Sequence, residues 1–219
     1  MAPKTEISNI RREELTQAAL KCLAAKGYDR VTLDDVTKEA GLSKGIASYY
    51  FNTREDLLVS VIHKMWDNVM GLADRIWELP DKVDQERDVY NRVKKYYSDP
   101  GVDLVGVITN GVRFLVTWID ENPHIIKVVL EFWCQVPRNP MITKLNVSMH
   151  RFLASISAIV IQEGIKRGIF KKRDPMLAAY ILISAITGLA FNNIINKGDF
   201  DTNKFERDVC NFIFGYLTT

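Results

Sequence analysis

VTLDDVTKEAGLSKGIASYYFNTREDLL, residues 31–58, decides the fold. It reads as two short helices broken at a glycine, with a third helix running on beyond them. Thr32 stands where a helix cap belongs, and Asp35 follows three residues later, the spacing of a capping box built with the shorter acid. Gly41 makes the corner, where a positive φ carries no steric cost. Ser43 is expected to cap the next helix and leave its first amides free. Leu42 and Phe51 read as core residues. Thr53 repeats the capping pattern with Asp56. A short helix, a tight Gly-X-Ser turn and another short helix form a helix-turn-helix arrangement.

Gly45 has no side chain, so backbone there can approach a ligand closely. Open amides beside Lys44 suit a phosphate or a base edge in a major groove. The hydroxyls of Ser48, Tyr49 and Tyr50 can reach phosphate oxygens. An ordinary corner between two helices would show the same spacing, and charge does not separate the two readings. Residues 1–55 carry nine Lys and Arg against eight Asp and Glu. The distribution says more: Lys4, Arg11, Arg12, Lys44 and Arg54 fall where an arm, a recognition helix and a helix start could meet a nucleic-acid backbone.

Working outward, the 219 residues suffice for one large domain or two small ones, and 47% are hydrophobic, enough for a sizeable core. The formal charge of +2 excludes no partner and announces none. The N-terminal residues lack the apolar run of a signal peptide. The stretch AAYILISAITGLAF, residues 178–191, reads as too short, and too interrupted by Ser184, Thr187 and Gly188, to cross a membrane. Cys22, Cys134 and Cys210 read as buried thiols of a protein in a reducing cytoplasm.

Apolar residues recur at three and four throughout, so the fold class is all-α. A first helix is expected over about Asn9–Lys26, with Ile10, Leu15, Ala18, Ala19, Cys22 and Leu23 on one stripe and Gly27 as a left-handed cap. A long helix from Arg54 to Leu79 ends at Pro80. Residues 81–99 read as a solvated helix or a mobile connection. Further helices follow at about 102–121, 124–136, 140–168, 174–196 and 202–217, punctuated by Pro and Gly. The division expected is a helix-turn-helix unit at 1–53 and a larger helical bundle at 54–219.

Residues 31–58, with the preceding AAKGYDRVT, resemble the N-terminal DNA-binding segment of the TetR family of bacterial transcriptional regulators. The resemblance implies that Thr32, Ser43, Lys44, Gly45, Tyr50, Thr53 and Arg54 match positions that touch DNA, mainly its backbone. Ile46, Ser48 and Tyr49 complete the candidate DNA-binding set. The family often has a tyrosine where this chain has Ser48, and a serine there is similar to the choline-sensing BetI branch. LEFWCQVPRNP (130–140) and EGIKRGIFKKRDPMLAAYILISAITGL (163–189) resemble the C-terminal half of BetI-like members. The implied protein is a ligand-responsive homodimeric repressor on a palindromic double-stranded DNA operator, with an unknown small-molecule effector.

For the dimer face the last two helices are the choice. Ser184 and Gly188 are small residues four apart, and Leu189, Asn192, Phe205, Phe212 and Tyr216 could line the same surface. For the effector, polar groups on apolar helices are the guide. Asn110, Arg113 and Thr117 share one face of VGVITNGVRFLVTWID, with Phe114 and Trp118 adjoining. Glu131 sits beside Trp133, and His150 lies on the next long helix. Arg113 could meet a ligand carboxylate or pair with Glu131, and Glu131 with Trp133 could form a box for a cation.

The sequence contains no H-E-x-x-H, C-x-x-C, G-x-G-x-x-G or phosphate-binding loop, and GLSKG (41–45), a G-x-S-x-G by letter, lies between helices rather than on a strand-to-helix elbow, so no metal, cofactor or catalytic residue is expected. A helical carrier or enzyme for an apolar molecule, with a purely structural N-terminal corner, is the alternative. A DNA-binding protein without a small-molecule switch is a further one.

Overall fold

The structure, a computed structural model, describes residues 4–76, 86–196 and 201–218. Among these it contains ten α-helices and no strand. They are α1 (Lys4–Lys26), α2 (Leu33–Glu39), α3 (Ile46–Tyr50), α4 (Arg54–Ile76), α5 (Glu86–Tyr97), α6 (Leu104–Glu121), α7 (Pro123–Gln135), α8 (Pro140–Lys166), α9 (Pro175–Asn196) and α10 (Thr202–Thr218). A 3₁₀ turn at Tyr28–Arg30 joins α1 to α2. Pro123, Pro140 and Pro175 each open a helix, the position where a missing N–H leaves nothing unsatisfied.

Two compact units emerge: residues 1–69 with 124–146, and residues 70–123 with 147–219. They differ from the division at Thr53 expected from the sequence, for a reason visible in the first unit's core. Leu15, Ala19 and Leu23 of α1, Val36, Ala47 and Phe51 pack in one buried cluster with Leu57, Leu58, Val61, Ile62 and Met65 of α4. Val128, Phe132 and Ile142 join the same cluster from far along the chain. The first turns of α4, α7 and the start of α8 thus supply walls that the short helices cannot supply for themselves.

Local details of this unit follow from sequence, with corrections. Thr32 and Asp35 form the capping box: the Asp35 N–H donates to the Thr32 hydroxyl at 3.2 Å and the Thr32 N–H to the Asp35 carboxylate at 3.1 Å. Thr53 and Asp56 do the same at the start of α4, at 3.0 Å each way. Helix α1 begins at Lys4 rather than Asn9, and Ile10 is 51% exposed, off the core stripe. Gly27 has φ 80 and ψ 169, extended on the positive-φ side rather than left-handed helical, a conformation open essentially to glycine alone. Cys22 is buried and its thiol pKa is raised by that burial, whereas Cys134 is exposed and Cys210 half-buried.

In the second unit, Val89, Val93 and Tyr97 repeat at four on α5 and are buried, so the charged stretch from 86 to 97 is an amphipathic helix. Leu79, Pro80 and residues 81–85 lie outside the described residues. Asp103 caps α6, its carboxylate accepting the Gly106 N–H at 3.0 Å. Leu104, Ile108, Val112, Val116 and Ile119 are buried along α6, which packs against α9 and α10. At the end of α8 the Phe170 ring occupies the space that a side chain on Gly164 would fill. Arg167 fastens the loop before α6 by donating to the carbonyls of Tyr97, Asp99 (2.7 Å) and Val102 (2.9 Å).

Helix α9 corrects one expectation. The apolar stretch it contains is part of a 22-residue helix that, by length and composition alone, is long and apolar enough to cross a membrane. Leu177 (56% exposed), Tyr180, Phe191 and Ile195 (58%) line one exposed face of it.

Candidate nucleic-acid interface

The corner between α2 and α3 is set by two glycines at positive φ, Gly41 (66°) and Gly45 (90°). Ser43 was expected to cap α3, but the residue before that helix is Gly45, which has no side chain to cap with. The Ser43 carbonyl instead accepts the Ile46 N–H at 3.1 Å, closing a turn. Helix α3 is therefore short. Its inward residues are Ala47 and, at its end, Phe51, each 1% exposed, with Leu42, Ile46 and Tyr50 packed partly against the core. Arg12 of α1 secures that end: its guanidinium lies 4.8 Å from the Phe51 ring centroid and donates to the Tyr50 carbonyl at 3.5 Å.

What the inward residues leave outside is the candidate surface. Ser43, Lys44, Gly45, Ser48 and Tyr49 are exposed in sequence, and Thr32 and Thr53 are exposed at the starts of α2 and α4. Tyr49 is 75% exposed and meets Tyr50 edge-on, with ring centroids 5.0 Å apart. A large aromatic held in water by a rigid short helix is poised to lay its ring and hydroxyl on a partner. Lys44 pairs with Asp34 at 3.2 Å, both side chains well exposed, a contact easily exchanged for a phosphate. Lys26 pairs with Asp35 at 2.5 Å, and with the Thr32 hydrogen bonds this holds the Asp35 carboxyl down to about 2. The carboxylate that fixes α2 therefore stays charged at neutral pH.

Arg54 departs from its expected part. It is half-buried, donates to the Val31 carbonyl at 2.8 Å and to the Tyr28 carbonyl, and lies 4.8 Å from the Tyr28 ring centroid. Its guanidinium holds the chain before α2 onto the start of α4. Arg12 is engaged in the same structural way. Sequence reasoning placed both as surface cations because a lone arginine carries no sign of the carbonyls waiting for it.

The residues chosen for an effector do not gather. Asn110, Arg113 and Thr117 share a face of α6, as their spacing requires, but that face is exposed. Arg113 pairs with Glu206 of α10 at 2.8 Å, so the expected pair with Glu131 is not formed. Glu131 and Trp133, the residues expected to form a box for a cation, lie in the first unit on α7, where a Glu131 carboxylate oxygen accepts the Tyr28 N–H at 3.2 Å. Phe114, Trp118 and His150 are half-buried in the second unit, and burial lowers the His150 pKa, favouring the neutral imidazole. Among the dimer candidates, Leu189 is 1% exposed and packs within the chain. Phe205 and Tyr216 are half-buried, the latter under the Arg173 guanidinium at 4.3 Å. Ser184, Asn192 and Phe212 are exposed and Gly188 partly so, with Phe212 at 61%.

A cleft of about 390 Å³ lies between α1 and α4, lined by Arg12, Glu13, Thr16, Ser60, His63 and Lys64 among others. Its polar groups largely satisfy one another: Lys64 pairs with Glu13 at 2.5 Å, and Thr16 and Ser60 share a hydrogen bond at 3.0 Å.

Comparison with known proteins agrees with this geometry. Residues 15–61 match the profile of bacterial regulatory proteins of the tetR family, and residues 111–217 that of the C-terminal region of BetI-type transcriptional repressors. The HTH-type transcriptional regulator BetI of Escherichia coli K12 is 25% identical over 219 residues, 99% of each chain. A TetR transcription regulator from Haloarcula marismortui shares the fold with a TM-score of 0.71 at 20% identity, over 95% of this chain and 97% of that one. A transcriptional regulator from Saccharomonospora viridis, solved in complex with choline, gives a TM-score of 0.66 at 22% identity, over 96% and 99%. The outward corner at 43–49, the closed core behind it and these two matched regions agree: the chain belongs to the TetR family and is a DNA-binding transcriptional regulator with a BetI-type C-terminal region.

Proposed function

We propose that the protein is a homodimeric repressor that binds a palindromic operator in the cytoplasm and is released from it by a small molecule. The observation that carries this reading is the corner itself. Ser43, Lys44, Ser48 and Tyr49 face water from a unit whose other side is closed by Phe51, Leu57 and Val61. Two such units on a two-fold axis would meet two half-sites about one helical turn, roughly 34–36 Å, apart or a multiple of that. Thr32, Gly45, Ile46, Tyr50 and Thr53 complete the contact region, Ile46 and Tyr50 mainly by holding the helix in place.

The partner copy is assigned to the exposed faces of α9 and α10. Leu177, Tyr180, Phe191, Ile195 and Phe212 present apolar surface at helical spacing, with the small residue Ser184 among them. An exposed apolar face of this kind marks an interaction surface, and a second copy would cover it.

The effector is a small molecule held in the second unit, where Phe114 and Trp118, half-buried neighbours on α6, are the candidate walls. It shifts DNA affinity only by its preference between the DNA-competent state and another. α4, which starts at the capped Thr53, is the lever. Choline is the first compound to try, since the Saccharomonospora relative was solved with it. Selection of genomic fragments by the purified protein at about 0.15 M salt tests the reading. A palindromic site released by a saturable ligand supports it, and sequence-indifferent binding without ligand response refutes it.

A further inference from the structure

We propose that Glu131 of α7 is a positioning residue for DNA binding, an inference that rests on the DNA-binding reading above. Glu131 lies 103 positions beyond Tyr28, yet its carboxylate sits on the corner between α1 and α2. Its Oε2 accepts the Tyr28 N–H at 3.2 Å, and its Oε1 is 3.1 Å from where a Cβ on Gly27 would stand. Gly27 makes room for it by lacking that carbon, at a φ of 80° that other residues rarely adopt. The next residue of α7, Phe132, meets the buried Tyr28 ring edge-on at 5.9 Å between centroids. Arg54 lies against the same ring and donates to the carbonyls of Tyr28 and Val31.

Tyr28 is thus held at its amide, its ring and its carbonyl by side chains from α7 and α4. The chain it anchors leads within four residues to Thr32, the cap of α2. Arg54 in turn opens α4, directly after the recognition segment. The placement of both ends of the DNA-reading segment therefore depends on a carboxylate outside it. Glu131 is half-buried and bears the same sign as DNA, so it cannot serve by touching a phosphate. It serves by keeping a buried N–H paired. Loss of that acceptor leaves the corner free to relax and takes Lys44, Ser48 and Tyr49 out of register with the backbone they meet. Any shift of α7 reaches the DNA-reading segment through the same contact.

The test uses full-length Glu131→Gln and Glu131→Asp proteins and the duplex that the wild-type protein selects from genomic fragments. Affinity is measured at several salt concentrations, with melting temperature and Tyr28 amide exchange alongside. Gln keeps an acceptor in place, so E131Q should bind as the wild type does. Asp is one methylene too short and should lose roughly tenfold in affinity, the size of one hydrogen bond. The salt slope should not change in E131D, because no phosphate contact is removed. Faster Tyr28 amide exchange in E131D than in E131Q should accompany the loss. Wild-type affinity in E131D, with or without a lower melting temperature, overturns the proposal, as does a shallower salt slope. Should E131D not fold, Glu131→Met, close to Gln in size but without an acceptor, must show the same loss at unchanged slope. A wild-type protein that selects no duplex refutes the DNA-binding reading itself, while the exchange measurement still judges the Glu131 contact.

Discussion

Replacing Lys44 by alanine gives a number that follows from where this side chain stands. Lys44 is exposed on the turn before α3 and pairs with the exposed Asp34 at 3.2 Å. If it neutralises one phosphate, its loss removes about 0.9 from the slope of log affinity against log salt per protomer, and about 1.8 for a dimer. At about 0.15 M salt that lost counterion release corresponds to roughly fivefold weaker binding per contact, or roughly thirtyfold for two. The structure adds a second effect. Without Lys44 the Asp34 carboxylate has lost its counter-charge and faces the same phosphates, so the observed loss should exceed the counterion value. Asp34→Asn alone should act in the opposite direction, freeing Lys44 and raising affinity. In the double variant the penalty should fall back toward thirtyfold. Fluorescence anisotropy on the selected duplex over a salt series reads both quantities. A Lys44→Ala protein with unchanged slope refutes the assignment of this lysine to the phosphate backbone, whatever happens to its affinity.

Three further outcomes are expected. Phe51→Ala removes a ring that is 1% exposed and lies against Arg12, and should cost about 3–5 kcal/mol in denaturant unfolding. A cost under about 1 kcal/mol would mean that α3 is held by something other than this anchor. His150 is kept neutral by burial, so its folded pKa lies below the unfolded value of about 6.5. The unfolded chain then binds more protons, and the stability from this group, fully present above about pH 6.5, is lost as pH falls toward the folded value. The melting temperature of His150→Asn should depend less on pH between about 5 and 7 than that of the wild type, and an identical dependence would dismiss the residue. Leu177→Glu with Phe212→Glu alters side chains that are 56% and 61% exposed, so the fold should persist while light scattering reports monomers; an unchanged dimer would place the interface elsewhere.

The capped, glycine-broken corner was legible because its determinants are local. Thr32 and Asp35, Thr53 and Asp56, and the positive φ of Gly41 each need only neighbours within a few positions. The same holds for the periodicity that gave the helices and for Phe51 as an inward anchor. Expectations failed where the partner came from far along the chain. Arg54 and Arg12 read as surface cations until the carbonyls of Tyr28, Val31 and Tyr50 took them up. Arg113 and Glu131 were suitable partners by charge, yet each found another, in Glu206 and the Tyr28 amide. Ser43 failed for a smaller reason: the positive φ at Gly45 moved the start of α3 two residues on, past the reach of its hydroxyl.

The reassigned groups have a common consequence for how this protein could switch. A helix-turn-helix segment alone is too small to bury its own apolar side chains; here it borrows them from α4 and from Val128, Phe132 and Ile142. Borrowed packing is also borrowed position. The segment that reads DNA is fixed on one flank by Arg54 at the head of α4 and on the other by Glu131 and Phe132 of α7. A change that displaces α7 by an ångström acts on a hydrogen bond already at 3.2 Å, at the long end of the usual range, and one that displaces α4 acts on the Arg54 bonds to Tyr28 and Val31. Sensitivity of this kind needs no hinge glycine in the recognition helix. It needs only that the core closing the DNA-binding unit be shared with helices whose other ends belong elsewhere, as α4 and α8 do.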